Sequence, residues 1–86
     1  MKKDFKPNKQ YQAIRDEKLN DNAKVIFMYL CGNDLRKFSP SKTKMMTDLN
    51  KSKATIERGL YMLRDNNYIF LTIGGQKGWI IIEILD

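Results

Sequence analysis

Between Lys44 and Tyr68 the chain reads KMMTDLNKSKATIERGLYMLRDNNY, and this stretch limits the choice of fold more than any other. Apolar residues recur at helical spacing on both sides of a polar break. Met45, Met46 and Leu49 give a first helix one apolar side, and Asn50-Lys51 make a tight turn after it. Ser52 is placed to cap a second helix, since its hydroxyl can accept one of the unpaired N–H groups at a helix start. Ile56, Leu60 and Leu63 then fall at i, i+4 and i+7 on one face. At about 100° per residue, Ala54, Arg58, Tyr61 and Asp65 fall on the opposite face. One side packs on a core while Lys53, Ala54, Thr55, Glu57, Arg58 and Tyr61 project into solvent. A helix that enters a major groove needs this division.

The flanking residues supply the other elements. Asn20 or Asp21 caps an earlier helix that runs to about Cys31 and is ended by Gly32 or Asn33. Ala23, Ile26, Phe27, Leu30 and Cys31 form one apolar stripe on it, and Val25, Met28 and Tyr29 form a second. A helix apolar nearly all round has to be covered on both sides. The helix pair covers one side; the other meets the N-terminal segment (Tyr11, Ile14) or a second subunit. Tyr11, Ala13 and Ile14 alternate with polar residues, a pattern for a short strand or turn. Residues 34–38 form a connector with room for a short strand near Phe38. Ser39-Pro40 opens the next helix, with Ser as cap and Pro at the first helical position. Asn66 and Asn67 stop the second helix of the pair, because Asn tolerates the left-handed conformation of a C-cap. Residues 68–73 (YIFLTI) and 79–85 (WIIIEIL) are β-branched and aromatic strands, joined by Gly74-Gly75-Gln76-Lys77-Gly78 in a tight hairpin. Three glycines in five residues resemble a phosphate-cradling loop. No GKS or GKT ending occurs and no helix follows, so the stretch reads as a short hairpin tip.

The stretch DLNKSKATIERGLYMLRDNNYI resembles the helix-turn-helix of the winged-helix DNA-binding superfamily. A leucine ends the first helix; Ser-x-x-Thr, a buried aliphatic and a leucine repeat follow, and then a hairpin. Two residues depart from the pattern. Lys51 stands where an apolar residue is usual, which would loosen the contact between the helices. Gly59 lies inside the second helix at a cost of about 1 kcal/mol against Ala, or lets another helix approach closely. The lead-in followed by AKVIFMYL is also similar to DNA-binding domains of phage and plasmid replication proteins. The resemblance covers about residue 20 to the C-terminus. It implies an α+β winged helix-turn-helix with a three-helix core and a C-terminal β-hairpin wing. Residues 1–10 would be a basic N-terminal arm and residues 11–86 the domain.

Charge agrees with that expectation. The net charge is +6, and residues 36–58 alone carry seven basic side chains against Asp48 and Glu57. Residues 1–20 carry six basic side chains against three acidic ones, and the remaining stretches are slightly acidic. A positive field on the helix pair and the arm is the footprint of a phosphate-binding surface. With 86 residues, 42% apolar, the chain is sized for one small core. No apolar run approaches the ~18 residues that span a bilayer. No apolar stretch follows the basic start, as a signal peptide would require. The lone Cys31 forms no internal disulfide and reads as a small core residue. With no histidine, the usual zinc ligand sets are excluded. A reducing, cytoplasmic setting is expected, associated with the nucleoid. Catalysis lacks support: no paired carboxylates in an apolar setting, no activated nucleophile and no cofactor motif are evident.

The expected function is therefore sequence-specific binding of double-stranded DNA through a recognition helix at about 52–66 plus a short wing. The chain would act as a small transcriptional regulator or a phage or plasmid origin-binding protein. Arg58 is placed to read a guanine edge and Ala54 a thymine methyl. Lys42, Thr43, Lys44, Ser52, Lys53, Thr55 and Tyr61 are placed to position the helix on the backbone, and Gln76 and Lys77 sit at the wing tip. No small-molecule ligand or cofactor is evident. Val25, Met28, Tyr29, Trp79 and Ile81 are expected to form an apolar patch that joins a homodimer, whose two-fold would match a repeated half-site; partial exposure in a monomer is the other reading. Two further functions fit the same residues: a protein-binding or inhibitory module of a mobile element working through Trp79 and Ile81, and a plasmid-partition adaptor using the DNA face.

Overall fold

Local capping chemistry sets where each helix begins and ends. In the computed structural model, which describes residues 9–32, 35–74 and 79–85, the elements are α1 (Lys9–Arg15), α2 (Asp21–Cys31), β1 (Lys37–Phe38), α3 (Lys42–Leu49), α4 (Lys53–Asp65), β2 (Ile69–Ile73) and β3 (Ile80–Ile84). The Asn20 side chain accepts from the Ala23 amide at 2.8 Å and opens α2. The Ser52 hydroxyl accepts from the Thr55 amide at 3.2 Å and opens α4. Helices α3 and α4 close alike. Asn50 (φ 54°) and Asn67 (φ 67°) adopt the left-handed conformation. Beyond them Lys51 N–H reaches Met46 O at 3.0 Å and Tyr68 N–H reaches Leu63 O at 2.9 Å. This six-to-one bond satisfies carbonyls that a helix end otherwise leaves unpaired.

Among the described residues the architecture is α+β: four helices and a three-stranded antiparallel sheet in the order β1-β3-β2. Alternation along β3 turns Ile80, Ile82 and Ile84 into the core, where they join Ile26, Phe27, Leu30, Ile56, Leu60, Leu63 and Ile69. α4 packs against α2, α3 and β2. Gly59 permits the α2–α4 approach: a Cβ there would stand 2.3 Å from Ile26 Cδ1 and 3.6 Å from Ala23 Cα. Tyr68 is wholly buried, its ring edge-on to Phe27 at 5.2 Å and its hydroxyl donating to Asp16 at 2.8 Å. That burial, with the Asp16 bond second, pushes the phenol up to about 12. No described helix is long and apolar enough to cross a membrane.

Four expectations need correction. Tyr11, Ala13 and Ile14 lie on a fourth helix, α1, and form neither strand nor turn. Only Ala13 covers the core; Tyr11 and Ile14 are 75% and 50% exposed, because helical geometry sends them to other faces. Lys9 and Gln10, expected in the N-terminal arm, belong to α1; residues 1–8 lie outside the described residues. The cap of α3 is Ser41, whose hydroxyl accepts from the Lys44 amide at 3.1 Å, two residues later than Ser39-Pro40. Ser39 instead donates to the Ile80 carbonyl at 2.5 Å, tying the connector to β3. Lys51, expected to loosen the contact between the helices, donates its Nζ to Asn22 Oδ1 at 2.6 Å and fastens the turn to α2.

Candidate nucleic-acid interface

The outward side of α4 is built from the same helical period as its buried side. Ile56, Gly59, Leu60 and Leu63 are buried, so Lys53, Ala54, Arg58 and Tyr61 are left exposed. Ala54, Arg58 and Tyr61 form one stripe along the axis, with spacings of four and three residues. Among the described residues, neither Lys53 nor Arg58 has a charged partner. Two cations thus flank a small apolar side chain on a helix whose back is held rigidly by the core.

The other basic residues are more constrained. Lys42 Nζ meets Glu57 Oε2 at 3.1 Å, with side chains only 22% and 32% exposed. The pair brings the opening of α3 beside the second turn of α4, and it neutralises most of what Lys42 would offer a phosphate. Lys44 Nζ sits 3.0 Å from Asp48 Oδ2 but keeps 70% of its side chain in solvent. The Tyr29 hydroxyl donates to the same carboxylate oxygen at 2.7 Å. That bond first, and Lys44 second, hold Asp48 below the ordinary carboxylate range. Asp48 in turn raises the Tyr29 phenol. Asp48 therefore stays charged at neutral pH, and a phosphate reaching Lys44 has to compete with it. Thr43 is exposed, and its amide and that of Lys42 open α3 without intrahelical partners.

Ser52 and Thr55 are engaged locally. The Ser52 hydroxyl accepts from the Thr55 amide and donates to Thr55 Oγ1 at 3.0 Å. Both side chains are spent on starting α4. Gln76 and Lys77 lie outside the described residues.

Three residues beside this face were not anticipated from the sequence as part of it. Arg64 lies over the Tyr61 ring, 4.9 Å from its centroid, while its Nε donates to Asp65 at 3.0 Å. Lys18 and Asn20, from the turn before α2, border an open groove with Arg58 and Tyr61. The i, i+3 spacing of Tyr61 and Arg64 was visible in the sequence. Lys18 is close to Arg58 only through the packing of α2 on α4.

The residues expected to form one dimer patch are divided. Ile81 shares a strand with inward-facing Ile80 and Ile82, so it points to the outer face of the sheet, away from the helices. Trp79, 47% exposed, lays its indole across Gly74. Val25, Met28 and Tyr29 stand in the helical layer on α2, with Tyr29 tied to Asp48. Sheet and helix thus present two separate surfaces. Comparison with family models, curated proteins and solved structures finds no match.

Proposed function

We propose that this chain binds duplex DNA sequence-specifically by inserting α4 into the major groove, in the manner of the winged helix-turn-helix it resembles. The observation that carries the reading is the exposed Lys53–Ala54–Arg58–Tyr61 face, whose two cations have no charged partner among the described residues. A core-anchored helix with such a face presents side chains to base edges at fixed positions. Arg58, near the middle of the stripe, is assigned the guanine contact and Ala54 the thymine methyl. Lys53, Lys44 and Thr43 supply backbone contacts, with Lys18 and Arg64 beyond the groove end of α4. The biological role that fits is a small transcriptional regulator or an origin-binding replication protein.

The test is selection of bound duplexes from a random pool, followed by a gel shift on the enriched site with random duplex as competitor. Arg58→Ala should weaken binding to the enriched site by about 1–3 kcal/mol and binding to random duplex far less. Equal losses on both would remove Arg58 as a base reader. An unenriched pool, with no shift in dilute buffer, would end the DNA reading altogether.

A further inference from the structure

The outer edge of β2 is built to accept another strand. Gly74 N–H donates to Trp79 O at 2.8 Å and Leu85 N–H to Tyr68 O at 3.0 Å. In the register that pairs Ile69 with Ile84 and Ile73 with Ile80, these bonds fix the alternation. Residues 68, 70, 72 and 74 direct their backbone groups toward β3, and Ile69, Leu71 and Ile73 direct theirs away from it. No strand occupies that side of β2 in the described sheet. Ile69 is 1% exposed and therefore covered, whereas Ile73 is 52% exposed and Leu71 half-buried. Among the described residues, nothing engages the outward N–H and C=O of Leu71 and Ile73. Edge strands are usually blunted by a lysine, a proline, an inward charge or a bulge. IFLTI has no charge and no proline, and its register with β3 is unbroken.

We propose that β2 pairs with β2 of a second copy of this chain, antiparallel about a two-fold axis at Thr72. Only this register uses Leu71 and Ile73 while sparing buried Ile69. Leu71 exchanges two backbone bonds with Ile73 of the second copy and the reverse pair exchanges two more. The result is one continuous six-stranded sheet. On its outer face Phe70, 59% exposed, lies opposite Gly74 of the other copy, against the indole that covers that glycine. Aromatic side chains across a glycine are a recognised means of pinning register. The neutral strand attracts no charged peptide and does not repel a second copy of itself. The strand is neutral, residues 59–86 are slightly acidic, and the strongly basic stretch 36–58 contributes only β1 to the sheet, at its far edge. Two like-charged chains can therefore meet here. Pairing through β2 leaves α4 uninvolved and requires no nucleic acid.

Sedimentation equilibrium of the full chain across micromolar concentrations, in moderate salt, tests it. The expected result is a reversible dimer. Ile73→Pro removes one outward N–H and leaves the β3 ladder whole; it should weaken association at least about tenfold. Phe70→Glu should do the same from the outer face. Val25→Lys, on α2, should leave the dimer unchanged, and far-UV circular dichroism confirms that each variant is folded. A wild-type chain that stays monomeric throughout overturns the proposal, as does a dimer that survives both β2 variants or is lost with Val25→Lys. A monomer that instead captures an unrelated extended peptide overturns it too.

Discussion

Gly59→Ala isolates how α4 is seated on α2. In an isolated helix this change would stabilise by about 1 kcal/mol, because Gly is the costlier residue in a helix interior. Here the new methyl would stand 2.3 Å from Ile26 Cδ1. Ordinary carbon contacts are about 3.5–4.0 Å, so Cδ1 has to retreat by roughly 1.2–1.7 Å. Ile26 is fully buried, and its terminal methyl has no solvent to swing into. Overpacking of this kind costs about 1–3 kcal/mol, which offsets or exceeds the helical gain. The single variant should thus range from break-even to a net loss of about 2 kcal/mol. For a domain of this size each kcal/mol lowers Tm by about 4–8 °C. The decisive measurement is a double-mutant cycle with Ile26→Val, which deletes Cδ1 and by itself costs about 0.5–1.5 kcal/mol. In the double variant the alanine methyl fills the space that Cδ1 leaves, and a coupling of about 1–3 kcal/mol in favour of the pair should appear in urea denaturation. If Gly59→Ala alone raises stability by about 1 kcal/mol and the two changes add, the close approach of α2 and α4 is refuted.

Four further outcomes are expected. Glu57→Gln releases Lys42 from its 3.1 Å partner, so affinity for random duplex should rise and the salt slope steepen by up to about one unit; an unchanged slope would place Lys42 off the DNA. Lys44→Ala should reduce the slope by less than about one unit, since Asp48 already holds part of its charge, and a full unit would show that the Asp48 pair opens on binding. The Tyr68 phenol is raised from 10.0 to about 12, so its contribution is complete below pH 10 and is lost as pH rises toward 12. Tyr68→Phe should therefore flatten that part of the alkaline unfolding profile. Asp16 and Asp48 are lowered from 3.8, so what they contribute is present above that pH and fades as pH falls through their lower values. Asp48→Asn should blunt the acid limb, and an identical acid profile would contradict the Tyr29 and Lys44 contacts.

Local rules carried far in this chain because its elements obey them. The buried side of α4, the Asn20 and Ser52 caps, the left-handed Asn67 and the inward Ile80, Ile82 and Ile84 all follow from period and capping chemistry. Ser41 displaced Ser39 as a cap because both are good cap residues, and the Ile80 carbonyl decides between them from across the fold. α1 escaped notice because a seven-residue helix carrying one buried residue, Ala13, has almost no periodic signal. Which lysines keep a free charge was also illegible: the Lys42–Glu57 bond joins residues on different helices, fifteen positions apart.

The sequence by itself determined that α4 has a buried side and a cationic side, since helical period and residue polarity act within one segment. Only the tertiary structure decided which cations remain unpaired, how close α2 may come to Gly59, and which edge of the sheet is left open. Those outcomes depend on distances between segments remote in the chain, and packing, not local preference, sets such distances.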